Sequence, residues 1–298
     1  MGDGTAATRE QRIGVRKMYK LFINGRFVRS ESARSTPLWD GKAFQANIAQ
    51  ASRKDLRDAV TAARAAQVRW WEQDPQLRGL MIYRLGEMIE ARRSEYIDAI
   101  AASLERDTPS ASEEVDLAID RVVWYAGWCD KYSALLSSMN PVAGPHFNCS
   151  TPEPMGVVGI LAPQAPLFLG ALTALLPPLV AGNSVIILAS ERDPRPAVAL
   201  AEAIALSDIP AGVVNVLTGF RSEIGPAMAK HDGLEAIACA REDLAQWSEI
   251  ERESAAAIKR IRAFPLHHAA DYFGDRAQSL EAIAEFCEIK TIWHPTGF

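Results

Sequence analysis

Closely spaced cysteines are absent from this chain of 298 residues. Its four cysteines are widely scattered and form no C-x-x-C pair: Cys129, Cys149, Cys239 and Cys287. A structural zinc site needs ligands at short spacing, and a disulfide framework needs many cysteines. We therefore expect reduced thiols, no metal site and a cytoplasmic location.

Positive charge is also in deficit. The net charge is −5, and no basic stripe with interleaved aromatic residues occurs, which argues against a nucleic-acid partner. The polar lead-in "MGDGTAATREQRIGVRK" lacks the apolar core of a signal peptide. Residues 1–18 are therefore predicted to form a flexible tail on an ordinary globular protein.

A glycine-rich dinucleotide fingerprint, G-x-G-x-x-G, is missing as well. The segment Met155–Ser190 has no charged residue and is long enough to suggest a membrane span. Four prolines, Gln164 and Asn183 interrupt it, so it divides better into a buried strand, a buried helix and a second buried strand. We expect no membrane association.

Strand and helix patterns alternate from Gly156 onward. Continuous apolar runs such as "GVVGILA" and "NSVIILAS" are typical of strands inside a parallel sheet. Three successive β–α units predict an α/β fold with a doubly wound, open parallel sheet, preceded by N-terminal helices. Such sheets bind ligands beyond the carboxyl ends of their strands, which here are residues 162–164, 188–191, 219–221 and 240–243.

Turn and capping residues mark the elements before the sheet. Asn24–Gly25 separates two alternating apolar runs and predicts a type I′ hairpin. Ser52 with Asp55 predicts a capping box at a helix N-terminus. Asp74–Pro75 predicts the N-cap and first residue of the next helix.

The C-terminal tail contains an isolated strand pattern. Phe286–Trp293 combines large apolar and β-branched residues, and Pro295 ends the run. A strand cannot leave its backbone N–H and C=O groups unpaired. The tail strand therefore needs another strand to pair with, and we expect that strand to lie on another polypeptide.

The order of these segments resembles that of the NAD(P)-dependent aldehyde dehydrogenase superfamily. "KLFINGRFV" looks like the family's opening hairpin, and "WYAGWCDKY" like the segment before its oligomerisation hairpin. The stretch from "EPMGVVGILAPQ" to "NSVIILASERDP" is similar to the family's first β–α–β unit. "IPAGVVNVLTGF" is similar to its third strand, and "EFCEIKTIW" to its C-terminal arm strand.

The resemblance implies a Rossmann-like, cofactor-type domain made of residues 19–139 and 155–250. Residues 140–154 and 285–298 would form the oligomerisation arm. The family inserts a catalytic domain between the cofactor sheet and the arm strand, whereas here only a short connector, residues 251–284, fills that place. The chain thus looks like a truncated homologue.

The catalytic signatures of the family are missing. Its nucleophilic cysteine lies in a Gly-Gln-x-Cys motif and its general-base glutamate in a Glu-Leu-Gly-Gly motif, and neither occurs here. Hydride transfer to NAD requires the thiohemiacetal that this cysteine forms. By resemblance, Gln164 takes the position of the oxyanion-binding asparagine. We expect no catalytic residue, which leaves open whether the chain is an enzyme.

The resemblance also implies a degraded cofactor site. Leu188 stands where a lysine contacts the adenosine ribose. Arg241–Glu242, followed by Asp243, replaces the Gly-Ser beneath the pyrophosphate. No bound cofactor is expected, with weak binding of NAD(P) as the alternative. The vestigial cofactor-binding residues would be Glu191, Gly219 and Gly225.

Two further patterns favour a structural interpretation. Cys287 with His294 could form a nucleophile–base pair, but a lone cysteine in a strand is more often a small buried residue. The adjacent His267–His268 pair has no further ligand cluster around it, so no metal site is expected there.

These features predict a catalytically deficient subunit of the aldehyde dehydrogenase type. Its arm would add strands to the sheet of a full-length aldehyde dehydrogenase, giving a hetero-oligomer in which the mate of the tail strand lies on another polypeptide. The alternatives are a nucleotide-binding protein of this oxidoreductase family and a self-assembling homodimer whose arms pair with each other. The residues expected at the partner interface are Phe286, Ile289, Thr291, Ile292 and Trp293.

Overall fold

The computed structural model describes residues 16–103, 110–240, 244–264, 266 and 268–296. Its strands are β1 Met18–Tyr19, β2 Leu21–Ile23, β3 Arg26–Val28, β4 Ser35–Asp40, β5 Ala43–Ala49, β6 Ser138–Met139, β7 His146–Pro154, β8 Val157–Leu161, β9 Ser184–Leu188, β10 Val214–Leu217, β11 Ala236–Ala240, β12 Arg260–Phe264 and β13 Cys287–Pro295. Its α-helices are α1 Arg53–Glu72, α2 Pro75–Ala91, α3 Arg93–Ala101, α4 Ala111–Ala126, α5 Tyr132–Leu136, α6 Leu169–Val180, α7 Arg195–Ile204, α8 Arg221–Lys230, α9 Leu244–Ser254 and α10 Leu280–Ala284.

A seven-stranded sheet forms the centre of the fold, in the order β12-β11-β8-β9-β10-β2-β3. The first five strands are parallel to one another. Strand β2 continues the sheet antiparallel to β10. The predicted α/β class and doubly wound parallel sheet are confirmed.

Apolar residues of the central strands point alternately into two cores. In β8, Val158 and Ile160 belong to the core that contains α4 and α6. Val157 and Leu161 belong to the core that contains α1, α8 and α9. All five residues of β8 are buried, because helices cover both faces of the sheet. A ligand can therefore reach these strands only at their ends.

The uncharged segment Met155–Ser190 folds as predicted, into β8, the fully buried helix α6 and β9. Within the described residues, no helix is long and apolar enough to cross a membrane. The apolar side chains of this segment are buried in the two cores.

The turn and capping predictions are confirmed. Asn24 and Gly25 have φ values of 51° and 72°, the left-handed backbone that a type I′ turn requires, and β2 pairs with β3 across them. Ser52 and Asp55 form a reciprocal capping box at the start of α1. The Asp74 side chain accepts two backbone amides at the start of α2.

The connector boundary drawn at residues 251–284 is wrong in its first half. Arg260–Phe264 forms β12, which pairs in parallel with the whole of β11 at one edge of the central sheet. Two arginines alternate with apolar residues in β12, and a charged helix precedes it, so its sequence looks like a continuation of that helix. An edge strand tolerates such charges because one of its edges faces solvent. The second half of the connector folds into two short 3-10 turns and α10.

The predicted flexible tail, residues 1–18, lies outside the described residues as far as residue 15. Lys17 pairs with Glu202, and Met18 begins β1, so folded structure starts earlier than predicted. Strands β1, β5 and β4 form a small sheet that the sequence patterns did not indicate.

The arm is a separate three-stranded sheet in the order β13-β7-β6. Strand β13 pairs antiparallel with β7 over nine residues, from Cys287 opposite Pro154 to Pro295 opposite His146. The expectation that the mate of the tail strand lies on another polypeptide is therefore wrong for this edge. The other edge of β13 has no neighbouring strand among the described residues.

Candidate functional site

The loops after β8, β9 and β10 meet at the carboxyl edge of the central sheet, as the predicted strand order requires. A cleft with a cavity volume of about 50 Å³ opens between the loops after β9 and β10 and the small sheet. Two of the predicted cofactor-binding residues, Glu191 and Gly219, line it together. Its other walls include Thr36, Leu38, Gln50, Ser190 and Phe220.

Gln164 ties two of these loops together. Its Oε1 accepts a hydrogen bond from Ser190 Oγ at 2.6 Å, and it also lies 3.4 Å from the amide nitrogen of Arg192. The side chain thus links the end of β8 to the end of β9. This structural bond was not predicted, and the oxyanion position assigned to Gln164 by resemblance stays a prediction.

Glu191 and Arg221 connect the remaining strand ends. The backbone amide of Arg221, at the first residue of α8, donates to Glu191 Oε1. The Arg221 guanidinium donates to the carbonyl oxygen of Ala162, just beyond β8, and the residue is only 4% exposed. Burial raises the pKa of the Glu191 carboxyl, and the charge of Arg221 works in the opposite direction. Sequence patterns did not single out Arg221, whose only signal is its place at the predicted end of a parallel strand.

The two glycines predicted at the cofactor site lie in different surroundings. Gly219 has a φ of 150°, and a Cβ there would lie 3.3 Å from the amide nitrogen of Ala51, so the turn after β10 favours glycine. Gly225 lies inside α8 and is buried, with Leu161 the nearest neighbour of its missing Cβ. Leu188, at the predicted ribose-contact position, is fully buried in the core. Only Gly219 of these residues reaches the cleft.

Three helix N-termini at this edge already hold carboxylates of the chain itself. Glu114 of α4 accepts the backbone amides of Phe168 and Leu169, at 3.1 and 2.9 Å, where α6 begins. Asp193 accepts the amide of Arg195 at 3.0 Å, where α7 begins. Glu191 does the same for α8. Helix N-termini are favoured sites for anions, and at these three helices the side-chain carboxylates already accept the backbone amides that an anion would bind.

Glu114 gives this arrangement a measurable pH dependence. The residue is fully buried, and burial raises the pKa of its carboxyl, although its two backbone hydrogen bonds oppose the shift. The folded state therefore holds the proton more tightly than the unfolded state. This contribution to stability is complete below pH 4.5, the ordinary pKa of a glutamate carboxyl, and is lost as the pH rises through the raised pKa of Glu114.

Replacing Glu114 by glutamine should remove this loss, because the amide stays neutral while its oxygen can still accept the two backbone amides. The stability difference between E114Q and the parent chain should therefore grow in favour of E114Q above about pH 4.5, by about 1.4 kcal/mol for each unit by which the pKa is raised. Urea unfolding at several pH values measures this difference. Glu113→Gln changes an exposed neighbour and is the control; an identical pH dependence in both variants would contradict the assignment.

The other candidate residues do not assemble into a site. Burial raises the pKa of the Cys287 thiol to about 12, and His294 lies seven residues further along β13, roughly 23 Å away at strand spacing. This pair therefore cannot act as nucleophile and base. Residues 241–243 and His267 lie outside the described residues. Within the described part, no group of three or more His, Cys, Asp or Glu residues is placed to hold a metal ion.

The predicted interface residues divide into two groups. Phe286 is 2% exposed and belongs to the main core, so its assignment to a partner interface is wrong. Ile289 and Trp293 are both 60% exposed, and Ile292 is 41% exposed. Thr291 is also exposed, and its Oγ1 lies 3.0 Å from Ser150 Oγ of β7. The apolar side chains of Ile289, Ile292 and Trp293 therefore lie on the surface of the arm.

The doubly wound sheet, the cleft at its carboxyl edge and the attached arm define a Rossmann-like α/β protein with an additional three-stranded sheet. The family model for the aldehyde dehydrogenase family matches residues 30–262. This chain belongs to the aldehyde dehydrogenase family.

Similar proteins support the assignment over part of their length. Retinal dehydrogenase 2 from Taeniopygia guttata is 34% identical over 231 residues, which are 74% of this chain and 44% of that protein. A solved aldehyde dehydrogenase from Bacillus cereus in complex with NAD+ superposes with a TM-score of 0.76 at 27% identity, covering 83% of this chain and 50% of that one. PnpE from Pseudomonas sp. WBC-3 gives a TM-score of 0.77 at 26% identity, with the same coverage. The chain spans about half the length of the relatives it matches.

The family implies a nicotinamide dinucleotide at the carboxyl edge, and the described residues do not fit it. The N-termini of α6, α7 and α8 hold Glu114, Asp193 and Glu191 instead of a phosphate. The N-terminus of α9, where the resemblance places the pyrophosphate, follows residues 241–243, which lie outside the described residues. The guanidinium of Arg221, a buried cation at these strand ends, already donates to the carbonyl oxygen of Ala162. Leu188 offers no polar group to a ribose.

Proposed function

We propose that this chain is a non-catalytic subunit that docks the open edge of β13 on an active, NAD-dependent aldehyde dehydrogenase and stabilises or regulates it. The observation that carries the proposal is the exposed edge strand. Eight of the nine residues of β13 are exposed, and three of these are large and apolar. A strand of this kind is a template for pairing with another sheet.

The short link between the sheet and the arm supports a non-catalytic role. Strand β12 ends at Phe264 and β13 begins at Cys287, and between them lie two 3-10 turns and α10. By resemblance, an active family member carries its catalytic domain at this point, with the Gly-Gln-x-Cys and Glu-Leu-Gly-Gly motifs that this sequence lacks. The arm is thus kept without the sheet on which the family docks it, and a full-length partner would supply that sheet.

Co-expression with full-length aldehyde dehydrogenases of the same organism, followed by measurement of the complex mass, tests this function. We expect a stable hetero-oligomer with one of them. The double variant I289K/T291K should lower the affinity at least about tenfold, since lysines on an edge strand oppose pairing with a second strand. Its folding should be unaffected, because both side chains are exposed.

The matched control is Leu80→Lys. Leu80 is 59% exposed, close to the 60% of Ile289, but it lies on α2, outside the arm. We expect this variant to form the complex normally. If I289K/T291K also bound as the parent chain does, docking through β13 would be wrong.

A homodimer is the second candidate, and the sequence of β13 favours it specifically. Antiparallel pairing of two copies centred on Thr291 would place Glu288 opposite His294 and Ile289 opposite Trp293. Apolar pairs that lie opposite each other across strands, such as Ile289 with Trp293, stabilise a sheet. A mass of twice the chain for the purified protein alone, abolished by I289K/T291K, would select this function over the hetero-oligomer.

A further inference from the structure

We propose that the carboxyl edge of the central sheet is closed by the chain's own charges. Glu191 and Arg221 form an internal brace that occupies the place of a dinucleotide, so that no nicotinamide or adenine nucleotide binds there. This inference concerns the cleft and is separate from the docking of β13.

The brace joins three strand ends that a ligand would otherwise bridge. Glu191 comes from the loop after β9 and accepts the first amide of α8, after β10. Arg221 extends from that amide to the carbonyl of Ala162, after β8. The adenosine half of a dinucleotide, which the resemblance places beside Glu191 and Leu188, would compete with both contacts for the same space between the strand ends.

Two neighbouring helix N-termini at this edge also hold carboxylates of the chain. Glu114 holds the start of α6 through two amides, and Asp193 holds that of α7. Asp193 is also bound to the Arg195 guanidinium, at 2.6 Å from Nη2, and both residues are buried. A phosphate entering at α6 or α7 would therefore meet buried carboxylates rather than unpaired amides, and like charges at short distance repel.

Calorimetric titration of the full chain with NAD+, NADH and AMP tests the closure. We expect no saturable binding with a dissociation constant below about 1 mM, the weakest range that such a titration resolves. Saturable binding of any of the three by the parent chain would overturn the proposal. AMP serves as the probe for the adenosine end alone.

Thermal unfolding of three variants tests the brace itself. Arg221→Met keeps the length of the side chain and removes its charge, and Glu191→Gln keeps an oxygen that can accept the Arg221 amide. Each should lower the unfolding midpoint by roughly 2–4 °C, and the double variant should lower it by less than the sum, because the two charges act on each other. Additive shifts would contradict the brace.

Arg192→Met is the control, because Arg192 is an exposed arginine beside Glu191 with no side-chain bond to it among the described contacts. It should leave the midpoint within about 1 °C. All four chains keep an intact β13, so their ability to form the partner complex is measured independently. Additive shifts or nucleotide binding, together with normal complex formation, would overturn this inference alone. Loss of complex formation by the parent chain, with non-additive shifts and no nucleotide binding, would overturn only the proposed function.

Discussion

Replacing Phe286 by alanine should lower the free energy of unfolding by about 3–5 kcal/mol, the range expected when a buried phenylalanine is truncated in a packed core. Phe286 is 2% exposed and lies in the largest core cluster, immediately before β13. Its carbonyl oxygen accepts a hydrogen bond from Asn183 Nδ2 at 3.0 Å, which alanine preserves. The loss would therefore report side-chain packing.

Guanidinium unfolding followed by circular dichroism measures this loss, with Trp293→Ala as the control. Trp293 is larger than Phe286 but 60% exposed, so its truncation should change stability by no more than about 0.5 kcal/mol. In the partner-binding assay we expect the opposite ranking. Among folded molecules, Trp293→Ala should lower the affinity for the partner more than Phe286→Ala does. Equal loss of stability in the two variants would contradict the placement of Phe286 in the core.

Replacing Arg121 should produce the second large loss, about 2–3 kcal/mol for Arg121→Met. Arg121 of α4 is 3% exposed and donates to Thr173 Oγ1 of α6 at 2.5 Å and to the Tyr272 carbonyl at 2.8 Å. It thus holds the segment between β12 and β13 against the body of the fold. Hydrogen bonds to a charged group contribute about 1.5–3 kcal/mol each, and relief of a buried charge offsets part of their loss.

Arg121→Lys distinguishes this bridge from simple packing. Burial lowers the pKa of the Arg121 guanidinium to about 10, so a buried charge is already costly at this position. A lysine would still bury the charge but could not span Thr173 and Tyr272 with one planar fork. Arg121→Lys should therefore be at least as destabilising as Arg121→Met. Faster hydrogen exchange at residues 269–273 in both variants would locate the effect, and unchanged exchange there would contradict the bridge.

Much of the central sheet could be predicted from local patterns. The runs that became β8 and β9 are apolar at every position but one or two, because both faces of a central parallel strand are covered. The Asn24–Gly25 turn and the two capped helices follow from single residues with strong backbone preferences. These features need no knowledge of distant parts of the chain.

The candidate site was less accessible to such reasoning. Glu191 and Gly219 line one cleft in the structure, because strand order determines which loops meet, and their role in cofactor binding stays a prediction. The partners of Gln164 and Glu191 were not predicted, because a side chain in a loop has several rotamers and local sequence does not select among them. Strand β12 was not predicted, because an edge strand is partly exposed and its residues do not form the continuous apolar run that marks a central strand.

The sequence by itself determined the family, the α/β class, the order of the β–α units and the absence of the two catalytic motifs. The tertiary structure alone decided that the tail strand pairs with β7, that Phe286 belongs to the core and that Arg221 reaches Ala162. These contacts join residues far apart in the chain. Local periodicity reports which face of an element is buried, whereas a long-range contact depends on how the whole chain closes its loops.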